Sequence, residues 1–260
     1  MVIREHFELG ETALTIIADE EFIPAGKEAV FDARASIEAA IASDPYFAST
    51  WEPIEAVTDD RVIRRMCSAA AAAEVGPMAA VAGTVAWEAV EAMRDAGAGT
   101  VVADNGGDIA LVCERPVTVG IYSGGPLRNL GLSVGPRSDV LGICSSSAKV
   151  GHSISLGESH VCTVVAEDVS LADAFATALG NMVASDDVHH LQECVSRVAS
   201  FKGVKGAMAN IGENLAMAGD LPRLVRVEER EALITRRSLN IGGNPFLGAE
   251  YMDKGEERRR

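Results

Sequence analysis

Between Lys27 and Ala96 the chain carries three helical segments in succession, and on either side of that block the apolar residues change to strand spacing. Ala29, Val30, Ala33, Ile37, Ala40 and Ile41 recur at helical intervals, which predicts an amphipathic helix over Lys27–Ala42. Asp44-Pro45 ends it, because the residue before a proline is pushed out of the helical region. A second helix starts with Asp59 or Asp60 as its cap and runs through Val62, Ile63, Met66 and an alanine block to Val75. Gly76-Pro77 breaks it. A third helix follows to about Ala96 and stops at Gly97. Strands are expected within Phe7–Ala18, Thr100–Ala103, Ile109–Cys113, Val117–Tyr122, Leu141–Cys144 and His160–Glu167. Gly206–Ile211 with Leu215–Ala218 reads as a hairpin, and Leu224–Val227 as a further strand. Two more helices are expected, one opened by Ser170 as cap with Asp173 three residues on, the other over Asp186–Phe201. Ser123–Pro136 holds six glycines and prolines and reads as a long loop. Blocks of helix and strand without regular βαβ spacing predict an α+β (mixed α/β) fold in a single compact domain, residues 1–240. Residues 241–260 read as an extended, frayed C-terminal tail.

Charge and cysteine usage narrow the function classes. Thirty-eight acidic residues against 23 basic ones give −15, and no local basic patch offsets this. Such a chain repels a phosphate backbone, so no nucleic-acid partner is expected. The most apolar stretch, Met78–Val90, is too short to span a bilayer, and the N-terminus lacks a signal-peptide core; a cytoplasmic location is expected. The five cysteines are scattered and form no Cys-x-x-Cys pair, which argues against a zinc ribbon or a thioredoxin motif and for free thiols. A homodimer is the expectation from base rates.

Three clusters have residue types that could carry chemistry. In Asp104-Asn105-Gly106-Gly107-Asp108 the glycines allow a ligand to approach the backbone, and successive N–H groups can receive an anion; the same residues make an ordinary hairpin turn. In Cys144-Ser145-Ser146-Ser147, followed by Lys149 and His152, a thiol beside a cation could become a nucleophile and the hydroxyls could hold a phosphate. The alternative is a serine-rich loop with a half-buried cysteine. Asp173 and Thr177 lie four apart on one helix face, with Asn181 continuing the row away from the Leu171–Phe175–Leu179 stripe. An oxygen pair of this kind can ligate Mg²⁺, while the plain alternative is a capping box plus a surface threonine.

Taken in order, Gly76-Pro77-Met78-Ala79-Ala80-Val81-Ala82-Gly83, Asp104–Leu111, Pro116–Tyr122, Gly151-His152-Ser153-Ile154-Ser155 and Ala172–Ala178 resemble the uncharacterised ApbE-like family of archaea and bacteria, related to the FAD:protein FMN transferases. The likeness extends over about residues 5–230. The resemblance implies an ApbE-like fold of mixed sheets packed by helices. It implies FAD or FMN with Mg²⁺ as cofactors, Asp173 and Thr177 as metal ligands, and Asn105, Gly106, Gly107, Asp108, Ser145 and Ser146 as cofactor contacts. It places Cys144 and His152 in the catalytic position. The chain departs from the transferases at Ala82-Gly83, where they read Lys-Gly, and after His152, where no Asp-Pro follows. Three readings stay open on this resemblance. One is sulfur assimilation or homocysteine formation through the thiol of Cys144. Another is Mg²⁺-dependent transfer of FMN from FAD to a partner protein, or flavin binding alone. The last is a subunit or scaffold without catalysis. The ligand is expected to be a small molecule or nucleotide.

Overall fold

The computed structural model describes residues 1–123, 125–147, 159–227 and Thr235. His152, Lys149 and the tail over 241–260 lie outside the described residues.

The chain opens with the hairpin β1 (Val2–Leu9) and β2 (Thr12–Asp19), turned at Gly10 with φ +57°. Helix α1 (Ile23–Ser43) begins four residues earlier than its apolar spacing indicates, with Pro24 in the first turn, where its missing N–H is harmless. A single turn, α2 (Tyr46–Ser49), leads to α3 (Arg61–Ala73). The Asp60 carboxylate caps α3 by accepting from the Ile63 N–H at 3.1 Å. A 3₁₀ turn at Pro77–Ala80 runs into α4 (Val81–Asp95). Strands β3 (Val101–Asn105), β4 (Asp108–Cys113), β5 (Val117–Ile121), β6 (Leu130–Val134), β7 (Arg137–Ser146) and β8 (Val161–Ala166) follow. Helices α5 (Val169–Met182) and α6 (Val188–Ala199) come next, then β9 (Val204–Ile211), β10 (Asn214–Gly219) and β11 (Arg223–Arg226).

Eight strands form one antiparallel sheet in the order β1-β2-β3-β4-β7-β8-β9-β10, and three form a small sheet, β11-β6-β5. The helices pack on one face of the large sheet, with α4 on β3 and β4, α5 on β7 and β8, and α6 on β9 and β10. The small sheet packs against the other face. Alternate residues of the central strands therefore enter two different cores. Ala110 and Val112 face the helices, while Ile109 and Leu111 join Val119, Ile121 and Leu132 on the far side. This is why β8 is apolar along nearly its whole length and buried at every position, as strands covered on both faces must be. The arrangement is α+β, as its blocks of helix and strand predict.

Two segments differ from expectation. The stretch read as one long loop contains β6, whose Gly131 is a packing requirement: a Cβ there would lie 2.7 Å from Val227 Cγ1 and 3.0 Å from the Val119 carbonyl. Strand β7 is ten residues long, so Ser145 and Ser146 belong to the sheet. Ser145 pairs with Thr163 across to β8, their hydroxyls 2.8 Å apart.

Gly142 on β7 lets α5 come close, since a Cβ there would stand 2.9 Å from the Val169 Cα. Gly142→Ala is expected to lower unfolding free energy by roughly 1–3 kcal/mol, the usual range for overpacking. Gly135→Ala, where a Cβ meets open space, should stay within about 0.5 kcal/mol of the parent in urea unfolding.

Candidate functional site

Helix α4 begins without a capping side chain. Its N-cap is Ala80, so the first-turn N–H groups need an acceptor from elsewhere. Asp173, from the second turn of α5, supplies it. Its Oδ2 accepts the Gly83 N–H at 2.7 Å, and the Ala82 N–H also reaches the carboxylate. The contact demands glycine at 83, because a Cβ would lie 2.8 Å from Asp173 Cβ and 2.9 Å from the Val169 carbonyl. Beside it, the Thr84 and Ser170 hydroxyls meet at 2.7 Å. Asn105 Nδ2 donates to the Ala82 carbonyl at 3.1 Å, which ties the end of β3 to the same helix terminus.

These contacts correct the expected cap of α5. Asp168 caps the helix by accepting from the Leu171 N–H at 2.8 Å, Ser170 is buried against α4, and Asp173 is only 7% exposed. Burial raises the Asp173 carboxyl to about 7 against the opposing pull of the two backbone N–H groups.

The β3–β4 connection is a two-residue hairpin, with Gly106 at φ +72° and Gly107 at φ +107°, values that favour glycine. Asp104 braces it, one carboxylate oxygen accepting from the Gly107 N–H at 2.9 Å. The other accepts from the Thr235 hydroxyl at 2.6 Å, and Thr235 in turn meets the Thr15 hydroxyl at 2.8 Å. Above the turn there is room: nothing lies within 4 Å of where a Gly106 Cβ would be. Asp108 follows on β4. Its Oδ1 is buried and has no hydrogen-bond partner, as is true of Ser146 Oγ. Burial pushes the Asp108 carboxyl well up, and the negative charges of Asp173 and Asp104 push it further.

These groups line a cleft of about 1640 Å³ at the end of the large sheet where the β3–β4 turn, the start of β2 and the end of β7 meet. Asn105, Gly106, Gly107, Asp108, Ser145, Ser146, Asp173 and Thr177 all lie on its wall, and Asn181 extends the α5 row. The residues singled out in three separate stretches of sequence thus share one cavity. Arg4, Arg34, Trp51 and Thr235 line it too and had not been singled out. Thr235 sits 131 residues from its partner Asp104, and no local pattern links them.

Cys144 is the exception. It is 0% exposed, faces the helical core with its Sγ 3.6 Å from the Val169 carbonyl, and is absent from the cleft wall. Burial drives its thiol well above the ordinary range, and the neighbouring Asp108 and Asp173 carboxylates add to the effect. A reactive thiolate needs an electropositive, accessible setting, so the expectation of a nucleophile at Cys144 is overturned.

Asp108, Asp173 and Thr177 offer only oxygen, the donor set of a hard divalent cation. Among the described residues no three His, Cys, Asp or Glu side chains cluster closely enough to cage a metal alone. A cation here would keep waters or share ligand oxygens, as Mg²⁺ does. The orphaned Asp108 Oδ1 is the atom such an ion would satisfy. Among the described residues no single helix is long and apolar enough to cross a membrane.

Residues 2–200 match the family described as AbpE bacteria. A UPF0280 protein of Methanocella arvoryzae is 49% identical over 232 residues, covering 88% of this chain and 94% of its own length. A UPF0280 protein of Archaeoglobus fulgidus is 45% identical over 238 residues, covering 90% and 99%. Among solved structures, the ApbE protein of Thermotoga maritima superposes with a TM-score of 0.55 at 12% identity, over 91% of this chain and 100% of that one. The apo flavinyl transferase ApbE of Pseudomonas stutzeri gives 0.53 at 10% identity, over 85% and 94%. At these identities the two structures establish an ApbE-like fold.

Two outcomes test the geometry. Gly→Ala in an exposed helix ordinarily stabilises by up to about 1 kcal/mol. Gly83→Ala should instead destabilise by roughly 1–3 kcal/mol, because it drives Asp173 off the helix terminus, and thermal and urea unfolding check the sign. All five thiols are buried, and burial pushes Cys162 up to about 12. Alkylation at pH 8 followed by mass spectrometry should leave Cys144 unmodified in the folded chain and modified in denaturant.

Proposed function

This chain belongs to the family described as AbpE bacteria, and we propose that its cleft binds a flavin nucleotide together with Mg²⁺, in the service of flavin-nucleotide transfer to a partner protein. The observation that carries this reading is the pair of carboxylates at one end of a large cleft, the buried Asp173 and the half-buried Asp108, whose Oδ1 atom is itself buried. One of their oxygens has no partner, and no cationic side chain is bonded to either among the described residues. Two like charges brought to one site raise each other's energy, and a divalent ion with a phosphate ligand would relieve both.

Asp173, Thr177 and Asp108 would hold the ion. When bound, it would neutralise pyrophosphate charge and polarise the phosphorus centre. The chain's own residues do the positioning. The α4 N–H groups at Ala82 and Gly83 fix the Asp173 carboxylate so that it needs no reorganisation when a ligand arrives. Asp104 holds the Gly106-Gly107 turn, whose backbone is open to close approach. Ser146 Oγ, buried and unpaired, can donate to a ligand oxygen, and Ser145 is steadied by Thr163. Sulfur chemistry through Cys144 has no support in this geometry.

Calorimetric titration with FAD tests the reading, with and without Mg²⁺, on the parent, Asp173→Asn and Thr177→Val. Asparagine keeps an acceptor for the α4 N–H groups and removes the charge, which separates capping from metal binding. Mg²⁺-dependent binding is expected, weakened at least about ten-fold by Asp173→Asn, or ~1.4 kcal/mol. No binding of FAD at millimolar concentration with Mg²⁺ present would overturn the proposal. Unchanged binding in Asp173→Asn would reduce Asp173 to a helix cap.

A further inference from the structure

The large sheet ends in β1 on one side and in β10 on the other. The outward backbone groups of an edge strand are a template for a further strand, and proteins ordinarily blunt such an edge with a short strand, a proline, a bulge or a covering group. Strand β10 follows that rule. It is six residues long, and Gln192 of α6 reaches over it, its Nε2 donating to the Met217 carbonyl at 3.2 Å. Strand β1 does not. It runs for eight residues, contains no proline and pairs with β2 in unbroken register, and among the described residues no strand lies on its outer side.

The turn fixes which groups face outward. Gly10-Glu11 is a two-residue hairpin loop, which makes Leu9 and Thr12 a hydrogen-bonded pair, and at the far end the Glu20 N–H donates to the Met1 carbonyl at 3.2 Å. The odd-numbered residues of β1 therefore direct their backbone groups to β2, and Val2, Arg4, His6 and Glu8 direct theirs away from it. Side chains alternate in step. Ile3, Phe7 and Leu9 pack on the helical core, while Val2, Arg4, His6 and Glu8 lie exposed on the opposite face. Phe31 of α1, 41% exposed, lies against Phe7 with ring centroids 5.9 Å apart, so apolar surface flanks the edge. On a chain of net charge −15 this edge is balanced: Arg4 and Lys27 offset Glu5 and Glu8, and Lys27 is bonded to Glu5.

The side chains select both the occupant and the register. Two copies related by a two-fold axis must oppose their outward-directed residues. With the axis at His6, Arg4 of each copy faces Glu8 of the other, and Ile3 faces Leu9, each pair occurring twice. With the axis at Glu5 two glutamates meet, and with it at Arg4 two arginines meet; like charges directly opposite destabilise a sheet. Moving the axis to Phe7 shortens the ladder and sets Glu5 against Leu9.

We propose that a second copy of this chain docks on β1, antiparallel and edge to edge, about a two-fold axis at His6, joining the two large sheets into one. Closed two-fold pairing of one patch with itself is the commonest form of oligomer. Arg4 lines the cleft, so Glu8 of the second copy stands at the cleft wall.

Sedimentation velocity on the full chain over about 1–100 µM should show a monomer–dimer equilibrium. Arg4→Glu alone and Glu8→Arg alone each set like charges opposite at two places and should weaken association at least about ten-fold. Arg4→Glu with Glu8→Arg exchanges the charges and should restore affinity to within about three-fold of the parent. A parent that stays monomeric at the highest concentration overturns the proposal, as does a dimer indifferent to the single reversals or not rescued by the double one.

A cross-link reads the register directly. In this pairing position 6 faces itself with Cα atoms about 5.5 Å apart, within disulfide reach, while the two copies of position 8 are about 14 Å apart. All five native thiols are buried, so the background is low. His6→Cys should form a disulfide-linked dimer under mild oxidation and Glu8→Cys should not. Equal cross-linking of the two variants, or none in His6→Cys, overturns the proposal.

Discussion

The architecture turns on a carboxylate that serves a helix other than its own. Asp173 belongs to α5, yet its oxygen closes the N-terminus of α4, which has only Ala80 at its cap position. Helix termini expose N–H groups with partial positive charge, and a buried anion is among the few groups that satisfy them without water. The bond fixes the separation of α4 and α5, requires glycine at 83 and sets the position from which α5 presents Thr177 and Asn181 to the cleft. The same carboxylate is then both a structural tie and the centre of the candidate site. Burial opposes its charge and the helix terminus favours it, and burial has the larger effect, which leaves the carboxyl near 7.

The cleft itself follows from covering one sheet on both faces. Helices occupy one side of the eight strands and the small sheet the other, so neither layer can close over the strand ends where β3 turns into β4. Groups from both sides converge there. Asp108 lies in register with Cys144 on β7, on the helical side, while Ser145 turns the other way and pairs with Thr163. A one-residue shift of register between β4 and β7 would exchange these faces and remove Asp108 from Asp173. The tight pairing from Asp108 to Leu111 therefore matters to the site as much as to the core.

Much of this was legible in the sequence, for physical reasons that differ by element. The Asp60 cap of α3, the break at Gly76-Pro77 and the Gly106-Gly107 turn are local signals, and each falls where its chemistry demands. Strand β6 was hidden because Gly131 reads as a loop residue when its real constraint is a neighbour 96 residues away, Val227. Cys144 closed the expected strand Leu141–Cys144, beside serines read as a loop; β7 runs on to Ser146, and its alternation turns the thiol into the helical core. Asp173 was singled out by its spacing to Thr177, but the partner that holds it, the Gly83 N–H, lies 90 residues upstream. Thr235 bracing Asp104 gives no local signal at all.

A chain with a net charge of −15 must still admit an anionic nucleotide if the proposed function holds. Long-range attraction is not available to it, and at physiological ionic strength charges beyond about 8 Å are largely screened. Affinity has to be built at contact range. The cleft offers what contact range requires: a glycine turn open to close approach and an unpaired buried hydroxyl. In their ionised forms the two carboxylates would repel a bare phosphate, so on this reading a divalent ion is the condition for entry rather than an accessory. On the proposed function, cation and nucleotide would be mutually dependent ligands, each strengthening the other's binding by the same factor.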